Sequence, residues 1–90
     1  MYMEPRKIRN LAEKHGWKEL AHDPQSMVLE FSRKRSRMRV HYKFMMVSTL
    51  VWHPKRGKSW LERKYVDPDM FMKILENPRA HTNSGYFHYV

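Results

Sequence analysis

The sequence contains no cysteine, which excludes a disulfide framework and any thiolate-held metal. It also lacks any apolar run near the roughly 18 to 20 residues that a membrane-spanning helix needs. Its opening segment, MYMEPRKIRNLAEKHG, carries Glu4 and Glu13 where a signal peptide would be uniformly apolar. These absences predict a soluble, intracellular protein with no secretory signal and no transmembrane segment. Acidic residues are scarce in one region in particular. Between Phe31 and Val66, eleven basic residues face a single acid, Glu62. They are Arg33, Lys34, Arg35, Arg37, Arg39, Lys43, Lys55, Arg56, Lys58, Arg63 and Lys64. The whole chain has a net charge of +9, and the flanks on either side of this segment are close to balanced. Such concentration reads as an electrostatic footprint more than as general solubility.

Ninety residues, 41% of them apolar and 13% aromatic, suffice for one small domain with a modest core. The first element reads as a helix. Pro5 stands near its start, Ile8, Leu11, Ala12 and His15 form one stripe, and Gly16 followed by Trp17 marks its end. Lys18 to Ser26, with Asp23-Pro24, reads as a loop. The period then shifts from 3.6 to 2. Met27, Leu29 and Phe31 alternate with Val28, Glu30 and Ser32, as in a half-buried strand, and Arg33 to Ser36 reads as a turn.

From Met38 to Trp52 the even positions are apolar except Ser48, while Arg39, His41 and Lys43 begin the odd set. One face is therefore expected to be core and the other basic. So long a strand would extend roughly 50 Å, so a bend or bulge is expected near Phe44 to Met46. A further strand is expected over Ser59 to Val66. Asp67-Pro68-Asp69 supplies an N-cap, an N1 proline and a first-turn acid for a second helix. Its apolar stripe is Met70, Phe71, Ile74 and Leu75, and it stops at Asn77-Pro78. Residues 78–90 read as a docked tail or a short strand. The fold class is α+β: an antiparallel sheet of three or four strands with both helices on one face, in the order α-β-β-β-α.

The stretch WHPKRGKSW, Trp52 to Trp60, admits two readings. Gly57-Lys58-Ser59 matches the end of a phosphate-binding G-x-x-x-x-G-K-[ST] loop. The first glycine would have to stand at Trp52, however, and the following SWLERKYV is strand-like where a helix is required. A hairpin fits better. A four-residue loop Pro54 to Gly57 pairs His53 with Lys58 and Trp52 with Ser59, which places Trp52 in the core with Leu50, Leu61 and Tyr65 and leaves Trp60 on the charged side. A three-residue loop Lys55 to Gly57 would instead pair the two tryptophans.

These residues yield a candidate interface: Arg33, Lys34, Arg35, Arg37, Arg39, Lys43, Lys55, Arg56, Lys58 and Lys64 for phosphates, with Trp60 for stacking. The partner so implied is nucleic acid, RNA first, met within a ribonucleoprotein or larger assembly. An acidic protein partner would use the same charges. A membrane fits less well, because the charge lies on strands and turns and not along an amphipathic helix. None of the six histidines (His15, His22, His41, His53, His81, His88) has a partner at metal-ligand spacing, so no metal and no cofactor are expected. His41, flanked by Arg39 and Lys43, is the one candidate for acid-base work, in a metal-independent endoribonuclease. The eight methionines read as core filler.

The order helix, three strands, helix resembles the double-stranded RNA-binding domain and the related HicA-type toxin fold. That resemblance implies the architecture alone. The former family places a lysine cluster where this chain has Asp67-Pro68-Asp69. The latter carries Gly-Ser-His on a strand, where the nearest strand histidine here is His41 after Arg39-Val40. The runs HPKRGKSWLERK and NPRAHTNSGY also resemble small proteins of protists and algae, a likeness that implies no activity.

Overall fold

In the computed structural model of the chain, whose described residues are 3–53, 55, 57–78 and 87–89, helix α1 spans Pro5–Lys14 with proline in its first turn. Gly16, at φ 82°, ends it as anticipated. Gly16 N donates to Glu13 O, and Trp17 N donates back to Ala12 O, both at 3.0 Å. This paired closure satisfies carbonyls that the helix would otherwise leave open, and it turns Trp17 inward.

Among the described residues six strands follow one another as a meander: β1 Lys18–Asp23, β2 Val28–Arg33, β3 Ser36–His41, β4 Met46–His53, β5 Gly57–Arg63 and, after helix α2 at Pro68–Glu76, β6 Phe87–Tyr89. All neighbours pair antiparallel. The α+β class stands, with both helices sharing a core with one sheet face. The strand count does not, since five strands and not three or four separate the helices. Within the expected tail, Phe87–Tyr89 forms the short strand, paired with β5. Residues 79–86 and Val90 lie outside the described residues.

The core is built from Ile8, Ala12 and Trp17 at the α1 end, Phe71, Ile74 and Leu75 on α2, and Leu29, Phe31, Met38, Val40 and Val47 from the sheet. Each such large apolar side chain contributes about 1.5–3 kcal/mol on burial. Helix α2 starts as the sequence requires. Asp67 caps it by accepting from Met70 N at 2.7 Å. At its far end, Thr49 Oγ1 donates to Pro78 O at 2.8 Å and ties the helix exit to β4.

Three further expectations are corrected by the fold. Lys18 to Ser26 is not a loop, because its first six residues form edge strand β1. Only the turn after β1 behaves as expected, with Asp23 Oδ1 accepting from Gln25 N and Ser26 N. The long even-phased strand is also two strands. Tyr42 to Met45 form a four-residue reversal, and His41 pairs with Met46 across it. Its consequence is a change of phase. Met38, Val40 and Tyr42 are buried, Phe44 is 54% exposed, and thereafter the odd residues Met45, Val47, Thr49 and Val51 face inward.

The third correction concerns Arg33, which keeps the inward phase of Leu29 and Phe31 and so cannot reach the outer face. Its guanidinium lies 4.8 Å from the Trp17 ring centroid. Nη1 donates to His15 O at 3.0 Å and Leu75 O at 2.6 Å, and Nη2 donates to Glu76 O at 3.0 Å. Trp17 Nε1 donates to the same Leu75 carbonyl at 2.9 Å. One cation thus closes the C-terminal ends of both helices, where exposed carbonyls concentrate negative potential.

Candidate nucleic-acid interface

Residues paired across antiparallel strands share a face, so the register defines what the side opposite the helices presents. One row runs Glu30, Arg39, Ser48, Glu62, and the next runs Ser32, Arg37, Leu50, Trp60. A third pairs Trp52 with Lys58.

Trp52 is thereby moved. Its expected place was the core, in a hairpin pairing it with Ser59. Instead His53 pairs with Gly57 and Trp52 with Lys58, one residue tighter than the expected loop, and Trp52 is 45% exposed. The phase change at Tyr42 to Met45 explains the error, because the even-position core had been extended through a reversal that swaps faces. Leu50 lies on the outer face for the same reason, and Tyr65 lies in solvent. Gly57 has a φ of 75°, which glycine adopts without the strain that a side chain would bring. Trp60 is on the charged face, as expected.

The cations are arranged on these rings. The Arg39 guanidinium lies 5.0 Å from the Trp60 ring centroid. Trp52 has Arg35 at 5.8 Å and Lys58 at 5.7 Å. Contacts of this kind are worth about 0.5–1 kcal/mol at exposed sites, enough to hold a side chain in place. Glu30 bridges Arg39 at 3.1 Å and Arg37 at 3.6 Å. Exposed pairs of this sort add about 0–1 kcal/mol, so their effect is to orient two guanidinium groups along one strand. Glu30 stands one residue before the basic segment begins, and only strand pairing reveals it.

The remaining cations separate by position. Lys34, Lys43 and Lys55 are exposed in turns, and Lys64 is exposed just after β5. Arg56 lies outside the described residues. Arg63 takes the inward phase at the end of β5, with Nη1 3.8 Å from Met70 Sδ, much as Arg33 does on β2. Lys43 does not flank His41 on a strand, since β3 ends at His41 and Lys43 sits in the following turn against Phe44, 5.4 Å from its ring centroid.

His41 shares a shallow depression with Arg39, Ser48, Trp60 and Glu62. Burial pushes its pKa below the ordinary value of 6.5, Glu62 opposes that, and Arg39 adds to it. As pH falls through 6.5, the unfolded chain therefore takes up this proton before the folded one. Stability falls with it until the folded state protonates as well. The drop in Tm between pH 7.5 and 5.5 should accordingly be smaller in His41→Gln than in the parent, a difference that calorimetry at the two pH values measures.

Two other histidines have structural partners. His15 Nδ1 lies 2.9 Å from Leu11 O, and His22 bridges Arg9 Nη2 and Tyr42 Oη at 3.0 and 2.9 Å. Among the described residues no three His, Cys, Asp or Glu side chains gather as a metal site, and no helix is long and apolar enough to cross a membrane. No protein-family model, curated protein or solved structure matches the chain.

Proposed function

We propose that the protein is a small nucleic-acid-binding module that takes RNA on the outer face of its sheet, within a ribonucleoprotein or larger assembly. The observation that carries this reading is the coincidence on one open face of two tryptophan rings, Trp52 and Trp60, with Arg35, Arg37, Arg39 and Lys58 around them. Guanidinium and ammonium groups meet phosphates through counterion release, while exposed rings accept bases by stacking without regard to their identity. Binding of this kind is weakly sequence-specific. His41 and Glu62 form part of the wall beside Trp60, and the reading asks no turnover of them.

The test is a filter-binding titration with an oligoribonucleotide between 50 and 200 mM salt. Each phosphate contact to a single strand contributes a log-log slope of about −0.7, so four cations predict a slope near −3. The same titration with DNA measures the preference for RNA. Affinity indifferent to salt, or absent for every RNA and DNA tried, rejects the reading. Equal competition by an acidic polypeptide reassigns the face to a protein partner.

A further inference from the structure

We infer that the binding face continues past Trp60 to a second aromatic pair, Phe44 and Tyr65, and that its ligand is therefore a single strand laid along β4. The inference rests on the reading just proposed and specifies which form of nucleic acid the face accepts.

Phe44 and Tyr65 are 54% and 69% exposed, and each directly precedes a fully buried residue, Met45 and Val66. Neither ring is left out by a loose turn. Met45 at φ 52° and Tyr65 at φ 55° occupy the left-handed region that side chains other than glycine disfavour. The two turns are braced to each other by Val66 N donating to Met45 O at 2.9 Å. Buried anchors, a connecting hydrogen bond and two unfavourable backbone conformations together hold a pair of aromatic rings in water.

The surroundings indicate what would cover them. The depression between the rings is also lined by Lys43, Lys64, His41 and Met46, and among the described residues no carboxylate lines it. His41 lines the neighbouring depression with Arg39, Trp60 and Glu62 as well, and Arg39 and Trp60 in turn line the one that holds Trp52, where Glu30 is engaged by Arg37 and Arg39. Aromatic and cationic groups therefore recur along a continuous path from Trp52 to Tyr65. Met46 and Trp52, near its ends, are six residues apart on β4, or roughly 20 Å at about 3.3 Å per residue. A duplex keeps its bases stacked inside and offers such a path only phosphates, whereas a single strand offers phosphates and free base faces at each step.

Fluorescence anisotropy with labelled oligouridylates of about 4, 8 and 12 nucleotides, which bracket common single-strand site sizes, tests this. The variant is Phe44→Ser with Tyr65→Gly. Glycine accepts the backbone conformation at residue 65, so the variant should melt close to the parent. The parent's affinity should rise with length, and the variant should lose about tenfold or more on the longest oligomer relative to the shortest. Independently, Lys43→Gln with Lys64→Gln should flatten the salt slope on the 12-mer by about 1.4, two contacts at about 0.7 each.

If the parent binds none of the oligomers, the proposed function itself fails. If it binds them and both variants keep the parent's length and salt dependence, RNA binding stands and this inference is overturned. It is equally overturned by a hairpin duplex that binds as tightly as the single strand. Phosphatidylserine vesicles that lose affinity for the aromatic variant while its RNA affinity is unchanged would assign the pair to a lipid surface.

Discussion

Arg33→Ala should lower the stability of the protein by about 2–4 kcal/mol, a fall in Tm of roughly 10–25 °C for a domain of this size. The side chain donates to three carbonyls at the ends of two helices and lies over Trp17. Hydrogen bonds from a charged group contribute about 1.5–3 kcal/mol each. Because the group is partly solvated, about 0.5–1 kcal/mol per bond is the fairer figure, with about a further 0.5–1 kcal/mol from the ring. Arg33→Lys should recover less than half of the loss, since an ammonium cannot reach three carbonyls with the fixed fork of a guanidinium. Differential scanning calorimetry measures both, and RNA affinity measured well below the variant's Tm should be unchanged. A variant that melts with the parent but binds RNA poorly would return Arg33 to the interface, where its place in a basic run had suggested it belonged.

Trp52→Ala should do the reverse. A tryptophan lost from a core costs about 3–5 kcal/mol, but this ring is 45% exposed and has Arg35 and Lys58 near its centroid, at 5.8 and 5.7 Å. Its removal should shift Tm by no more than a few degrees. Losing one stacked base should weaken binding by about 1–3 kcal/mol, roughly 5- to 150-fold. Trp60→Ala should weaken binding too, with a larger thermal penalty because its ring is half-buried. An unfolded Trp52→Ala protein would mean that the hairpin register is one residue out.

The parts of the fold that were legible are those with chemistry of their own. Asp67-Pro68-Asp69 starts a helix because it combines a cap, a fixed φ and a favourable charge. Gly16-Trp17 ends one because only glycine enters the left-handed region freely. Arg39 was placed on the outer face because Met38 and Val40 on either side of it are plainly core. Edge strand β1 was missed because alternation needs a buried face to show itself, and Lys18, Glu19, Leu20 and Ala21 are all exposed.

The phase change was missed for the opposite reason. Phe44, Met46, Leu50 and Trp52 are apolar yet stand on the outer face or in the turn, so the apolar pattern ran on unbroken through the reversal. The same residues supply the candidate site, so local pattern and function conflict there. Arg33 carried a usable signal in its step of two from Phe31, which the charge of its neighbours obscured.

The helix clamp also bears on time. Strands β1 to β4 each pair with the strand that follows directly in the chain, so that part of the sheet can assemble by closing short turns, the fast route for a polypeptide. The bonds at the Leu75 carbonyl instead join residues 42 and 58 positions apart, from Arg33 and Trp17. Contacts that close the longest loops after the hairpins have formed act mainly on the rate of opening. Arg33 in this view sets how long the folded molecule lasts, much more than how quickly it forms.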